Sequence, residues 1–247
     1  MTLLAYFAEG QASERELSDA FAALHDASLE SAPVPEVDWV ARFREGFRPL
    51  RAGGFRILPA WRAPAGAGRR SSAKSPRVRT LIVEPGRAFG TGTHESTRLC
   101  LRALELLAAR GPLDRVLDLG TGTGILAIAA RRLGCGRVTA VDIDPEALAS
   151  ASHHARLNRA RLALVLGDGG RAFVPASFDL VLANVTTSLL LERASEIAGL
   201  LAPMGAAVLA GLLESDLPPV LAAYRNLGRL EVLSEGEWAA VIAARRP

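Results

Sequence analysis

Lysine is almost missing. Of the 29 lysine and arginine side chains in this 247-residue chain, Lys74 is the one lysine, and tyrosine is confined to Tyr6 and Tyr224. No Tyr-x-x-x-Lys pair exists, so the common catalytic couple of nicotinamide dehydrogenases is excluded. Cysteine is scarce too. Cys100 sits in an apolar helical pattern and Cys135 beside a turn glycine, with no second cysteine near enough for a metal or redox motif. No metal site is expected, and both are read as reduced thiols of a cytoplasmic protein. Blocks of like charge are lacking, and the net charge is only +3, so nothing demands a nucleic-acid partner. The opening "MTLLAYFAEG" has no basic n-region and no long apolar core, unlike a secretory signal. The longest uncharged stretch, Ile197 to Leu213, is interrupted by Pro203-Met204-Gly205. It reads as a helix end, a tight turn and a buried strand, with no membrane span.

What is present is alternation. From Ser13 to Leu29 the apolar Leu17, Phe21 and Leu24 recur at helical spacing until "SAPVPEVDW" breaks the pattern. A second helix starts at Asp38, an N-cap, with Val40, Phe43 and Phe47 on one side, and "FRILPAW" reads as a strand. Residues 62–79, rich in Ala, Gly, Ser, Pro and Arg, read as a solvated linker whose arginines offer the one plausible RNA contact; no DNA contact is expected. Beyond it, "RVLDLG", "RVTAVD", "LALVLGD", "FDLVLAN" and "AAVLAG" are short apolar runs suited to strands covered on both faces. Helical stretches over Gly124–Leu133, Pro145–Leu157 and Ser188–Leu201, plus a weak irregular one, separate them. "DLPPVLAAYRNLG" adds a helix, and "LEVLSE" with "WAAVIAA" a hairpin. The expected fold class is α/β: a Rossmann-like, doubly wound, mostly parallel sheet with an antiparallel C-terminal hairpin strand, preceded by a small N-terminal element. The expected division is a leading element at 1–37, a connecting helix, strand and basic linker at 38–80, and the main domain at 81–247.

In "VLDLGTGTGILA" a strand runs into Gly120-Thr121-Gly122-Thr123-Gly124 and then a helix. Glycines suit a turn that needs unusual dihedrals and a ligand that must approach bare backbone. The next strand ends in Val141-Asp142, roughly 20 residues past the first glycine, where a carboxylate can accept from ribose hydroxyls. A ribose-bearing cofactor is therefore expected over the carboxyl ends of the strands. Gly122-Thr-Gly124-Ile-Leu-Ala127 also matches the dinucleotide pattern G-x-G-x-x-A. Against that reading, Asp118 places negative charge near the loop, which would repel a pyrophosphate and suit the ammonium of S-adenosylmethionine. Asp168 follows the third strand, where class I methyltransferases place an acceptor for the adenine amino group, and Asn184 ends the fourth, where they hold the methyl acceptor. The plainer alternatives are a helix cap at Asp142-Asp144-Pro145 and a turn former at Asp168.

A second glycine stretch, "EPGRAFGTGTHESTRLCL", precedes the first. Together with the motifs above and the "GEW" near the C-terminus, it closely resembles the PrmA family, bacterial methyltransferases of ribosomal protein L11. The resemblance runs from about Asp38. It implies that Thr97, Gly120, Asp142 and Asn184 meet S-adenosylmethionine and that Phe89, Gly90, Thr91 and Gly92 fold over it. Thr97 falls in the first turns of a helix expected to begin near Thr93, whose positive end suits a carboxylate. His94 reads as a helix-start residue. The implied reaction methylates lysine side chains or the terminal amine of the ribosomal protein, with Asn184 orienting the amine. Three features depart from the family: only the latter part of its leading domain is recognisable, the 62–79 loop is longer and more basic, and "VTTSLL" after Asn184 lacks a proline. Methylation of another acceptor, and a ribosome- or RNA-binding protein without turnover, are the alternatives these departures leave.

Overall fold

The computed structural model describes residues 49–63, 78–84 and 94–246. The leading helices, the linker between 64 and 77, and the segment 85–93 with Phe89, Gly90, Thr91 and Gly92 lie outside the described residues. Pro49–Pro247 form one compact unit.

Three short strands, β1 (Leu50–Ala52), β2 (Phe55–Leu58) and β3 (Arg79–Ile82), make a small sheet in the order β1-β2-β3. β1 and β2 are antiparallel, whereas β2 and β3 run parallel in the register Phe55↔Arg79 to Leu58↔Ile82. "FRILPAW" is thus a strand only as far as Leu58, and Ala60–Arg62 turn into a 3-10 helix after Pro59. Phe55, Ile57, Leu81 and Val83 join the core of the large domain, packing with Leu99, Ala103 and Leu107 of helix α1 (Glu95–Arg110).

The main sheet has seven strands: β4 (Arg115–Leu119), β5 (Arg137–Asp142), β6 (Ala163–Leu166), β7 (Phe178–Asn184), β8 (Leu201–Leu213), β9 (Gly228–Glu235) and β10 (Trp238–Arg245). Their order is β6-β5-β4-β7-β8-β10-β9, with the first five parallel and β10 antiparallel to both neighbours. β4 is the switch point: the chain moves to β5 and β6 on one side, then crosses to β7 and β8 on the other. A crevice opens above the carboxyl ends at such a point.

Successive strand residues face opposite layers, as pleating requires. Leu180, Leu182 and Val208 pack toward α1 and α2 (Ile125–Leu133), while Val181, Ala183 and Leu209 pack toward the opposite helices. α3 (Pro145–Leu157) joins β5 to β6. The opposite layer holds α4 (Thr187–Glu192), α5 (Ala194–Leu200) and α6 (Leu217–Tyr224). The single helix expected over Ser188–Leu201 is two, because Arg193 at φ −101° and ψ 16° leaves the helical region and caps both. Leu201 already belongs to β8, which pairs at Leu201 and resumes at Ala206 after Pro203-Met204-Gly205 bulge out, with Met204 at φ 68°. Among the described residues no helix is long and apolar enough to cross a membrane.

Candidate functional site

The strand-to-loop turn after β4 is built on left-handed backbone. Gly120, Gly122 and Gly124 have φ of 69°, 53° and 77°, a region costly for residues with a Cβ. A Cβ at Gly120 would also lie 2.8 Å from Val185 Cγ1, so the space above the loop is kept by the missing side chain.

The loop's amides are committed internally. Gly120 and Thr121 N–H both donate to the Val141 carbonyl (3.0 and 3.1 Å), Gly122 N–H to Asp142 Oδ2 (2.9 Å), and Gly124 N–H to the Thr121 carbonyl (2.8 Å). A dinucleotide site presents such amides to a pyrophosphate. Here four of the five loop amides are bonded within the protein, so the dinucleotide pattern in the sequence presents less of its backbone to a phosphate than such a site does.

Asp118 is fully buried under the loop and accepts from the Thr121 hydroxyl (2.6 Å) and from Ala127 N–H (3.1 Å). Its carboxyl is raised to about 7 on balance: burial is the main cause and the Asp142 carboxylate adds to it, while the two hydrogen bonds pull the other way. Its oxygens therefore brace the loop and the start of α2 from within. Asp142, at the end of β5, is only half-buried. Besides Gly122, it accepts from Asp144 N–H (3.1 Å). The α3 cap is Asp144, which accepts from Glu146 N–H at 2.8 Å, so Asp142 has no cap role of its own.

Asp168 lies beyond β6 at the head of a 3-10 turn without making a side-chain cap bond. Its carboxylate pairs with Arg193 (2.5 Å) and Arg171 (3.5 Å). Two neighbours escaped sequence reasoning: Ile143, 69% exposed right after Asp142, and Leu166, 61% exposed and paired with Asp142 across the strands. Large apolar side chains left out of water-facing company at a strand end are the available signal.

On the other side of the switch point, α1 begins at Glu95, two residues later than expected. His94 is its N-cap and accepts from Ser96 N–H (3.2 Å). Its ring meets Trp238 edge-on with centroids 4.3 Å apart. Thr97 is fully buried in the first turn, and its hydroxyl accepts from Asn184 Nδ2 at 3.4 Å. With Nδ2 thus engaged, Asn184 Oδ1 is buried and has no hydrogen-bond partner among the described residues. A buried acceptor in that state is costly unless something fills the vacancy. Gly211, at φ 86°, keeps the neighbouring space free: a Cβ there would approach Oδ1 to 3.2 Å and collide with the Val185 carbonyl. The glycine ending "AAVLAG" was its only trace in the sequence.

The structure therefore gathers Gly120, Gly122, Asp142, Asp168, Thr97 and Asn184 around the carboxyl ends of β4 to β7, with Asp118 beneath them. A cavity of about 520 Å³ lined by Tyr224, Gly228 and Arg245 lies away from these residues, where β9 starts and β10 ends. Among the described residues no group of three His, Cys, Asp or Glu side chains could hold a metal ion. Both cysteines are free and buried, and burial pushes their thiols well up.

A doubly wound sheet with a left-handed glycine turn after its first strand, a carboxylate at the end of the second and an asparagine at the end of the fourth is the frame of a class I methyltransferase that uses S-adenosylmethionine. The chain belongs to the ribosomal protein L11 methyltransferase (PrmA) family, whose model matches residues 1–246. That match reaches well upstream of Asp38. It is 37% identical to the ribosomal protein L11 methyltransferase of Geobacter sulfurreducens, over 98% of this chain and 81% of that one. The Caldicellulosiruptor saccharolyticus protein of the same name is 34% identical over 94% and 74%. The crystal structure of a ribosomal protein L11 methylase from Lactobacillus delbrueckii subsp. bulgaricus superimposes with a TM-score of 0.68 at 29% identity, covering 81% of this chain and all of that one. The residues fit the cofactor: Asp142 is a half-buried carboxylate at a strand end, suited to ribose hydroxyls, and Gly120, where a Cβ would meet Val185, leaves room above the turn.

Proposed function

We propose that the chain transfers methyl groups from S-adenosylmethionine to amines of ribosomal protein L11, on lysine side chains or the terminal amine, in the cytoplasm. The observation that carries the reading is the buried, unpartnered Oδ1 of Asn184 beside the first turn of α1. On this reading Thr97, Gly120, Gly122, Asp142 and Asp168 hold the cofactor, and Ile143 and Leu166 supply apolar surface for its base. Asp118 acts on the cofactor through the loop it braces. The first 37 residues serve substrate recognition.

Bound S-adenosylmethionine supplies a methyl group already activated by its sulfonium. The protein's work is alignment and exclusion of water. Asn184 Oδ1 accepts an N–H of the incoming amine and aims its lone pair, and Thr97 fixes which end of the amide faces the amine. A lysine must arrive neutral, and desolvation on entering the crevice lowers its proton affinity. His94 is taken up in capping α1, so no dedicated base is assigned.

Mass spectrometry of ribosomal proteins from cells with and without the gene tests the acceptor. L11 should lose mass in multiples of one methyl group when the gene is absent. An unchanged L11 sinks this acceptor and leaves methylation of another protein or a small molecule. Asn184→Ala should lower turnover by about 10²-fold or more while cofactor affinity changes little. Equal loss of both would remove Asn184 from acceptor orientation.

A further inference from the structure

We propose that Arg193, with Glu196, is a positioning residue that fixes Asp168 as acceptor for a purine 6-amino group and so sets selectivity for adenosine-type cofactors. The inference rests on the functional reading above, in which Asp168 meets the cofactor's base.

Arg193 stands at the break between α4 and α5, a place where a side chain has no need to turn inward. Its side chain is nevertheless only 11% exposed. Nη2 donates to Asp168 Oδ1 at 2.5 Å, and Nη1 donates to the Asp168 backbone carbonyl and to Glu196 Oε2, both at 3.4 Å. Glu196 in turn accepts Gly170 N–H through Oε1 at 2.5 Å. One guanidinium and one carboxylate thus hold both the side chain and the main chain of the Asp168-Gly169-Gly170 turn. Gly169 follows from this. A Cβ at Gly169 would lie 2.5 Å from Arg193 Nη1 and 2.7 Å from Glu196 Oε1, and its φ is 68°. Arg193 and Glu196 thus fill the space a Cβ at Gly169 would take, whereas a Cβ at Gly170 would first meet Leu200 Cδ1 and then Glu196 Oε1 at 3.1 Å.

The consequence is a carboxylate with one oxygen committed. Oδ1 belongs to Arg193, and among the described residues Oδ2 pairs with the outlying Arg171 at 3.5 Å, whose side chain is largely exposed. A fixed acceptor that cannot turn favours a ligand with a donor and rejects one with a carbonyl in the same place. Adenine carries an amino group at position 6 and hypoxanthine an oxygen. Without Arg193, Asp168 is free to swing, and a water can bridge to either base.

Calorimetric titration of the full chain with S-adenosylhomocysteine and S-inosylhomocysteine tests this. Wild type should prefer the adenosyl ligand by at least about tenfold. Arg193→Met should bring the preference below about threefold by weakening the adenosyl ligand, and Arg193→Lys should restore part of it. Glu196→Gln, which keeps an acceptor for Gly170, should lower the preference less, and it carries the test if Arg193→Met does not fold. A preference unchanged in the variants, or equal weakening of both ligands, overturns the proposal. Equal binding of both ligands by wild type does the same and leaves methyl transfer standing. A wild-type chain that binds neither overturns the functional reading itself.

Discussion

Asp118 is a charge placed where water cannot reach it, and its two hydrogen bonds only partly offset that burial. Because its folded-state value, about 7, lies above the ordinary 3.8, the folded chain holds this proton more tightly than the unfolded one. Stability associated with the group is complete at low pH and declines as pH rises from about 4 to about 7. Asp118→Asn keeps one acceptor and cannot ionise. Urea midpoints of the ligand-free chain should therefore fall from pH 5 to pH 8 more steeply in wild type than in the variant. Parallel profiles would mean the carboxyl titrates at its ordinary value. Glu95 and Glu231, both lowered by arginine partners and local hydrogen bonds, act below that window and cancel in the comparison.

At the scale of elements, the small sheet is tied to the large domain by the far half of α3. Asn158 is fully buried: it accepts from Ile82 N–H (2.8 Å) and donates to the carbonyls of Ile82 (2.6 Å) and His154 (2.9 Å). Asn158→Ala should cost about 1–3 kcal/mol in chemical denaturation, since it strands both polar groups of Ile82. His154 accepts Glu84 N–H at Nε2 (3.0 Å) and donates from Nδ1 to Ser150 O (2.8 Å), the pattern of the neutral ring, while a protonated Nε2 would turn to the Glu84 carbonyl at 3.3 Å. Burial is the main cause that lowers its proton affinity. This contribution is present above the ordinary value of 6.5 and is lost as pH falls through the lower folded value. His154→Gln should flatten the acid side of a thermal-melt profile below pH 6.5, and an unchanged slope would contradict the neutral-ring assignment. Neither contact was visible beforehand, because "SHHARLN" read only as the end of a helix, and its partners lie 70 and 76 residues away.

At the scale of the whole molecule, the C-terminal hairpin steadies the start of α1. Arg98 joins Glu95 and Glu235 at 2.8 Å each, and Trp238 meets the capping His94. Glu235→Ala should cost at most about 1 kcal/mol, as partly exposed pairs do. It should still weaken S-adenosylhomocysteine binding severalfold by titration, because Thr97 sits in the turn that Arg98 holds; unaltered affinity would show that α1 keeps its place unaided. β1 and β3 of the small sheet were not legible in the sequence, whereas the strands of the main sheet, their parallel run, the glycine turn and the carboxylate 20 residues on were. Each rests on local periodicity or on spacing within one βαβ unit, where chain connectivity leaves few alternatives. The family, too, was written in contiguous motifs. Only the tertiary structure decided that Asp118 faces inward, that Arg193 divides one expected helix into two and grips Asp168, and that Asn184 is left with an unsatisfied oxygen. Those outcomes depend on burial and on polar partners that sequence distance does not announce, 3 and 9 residues away for Asp118, 25 for Arg193 and 87 for Asn184, and hydrophobic alternation does not encode which polar atoms will meet.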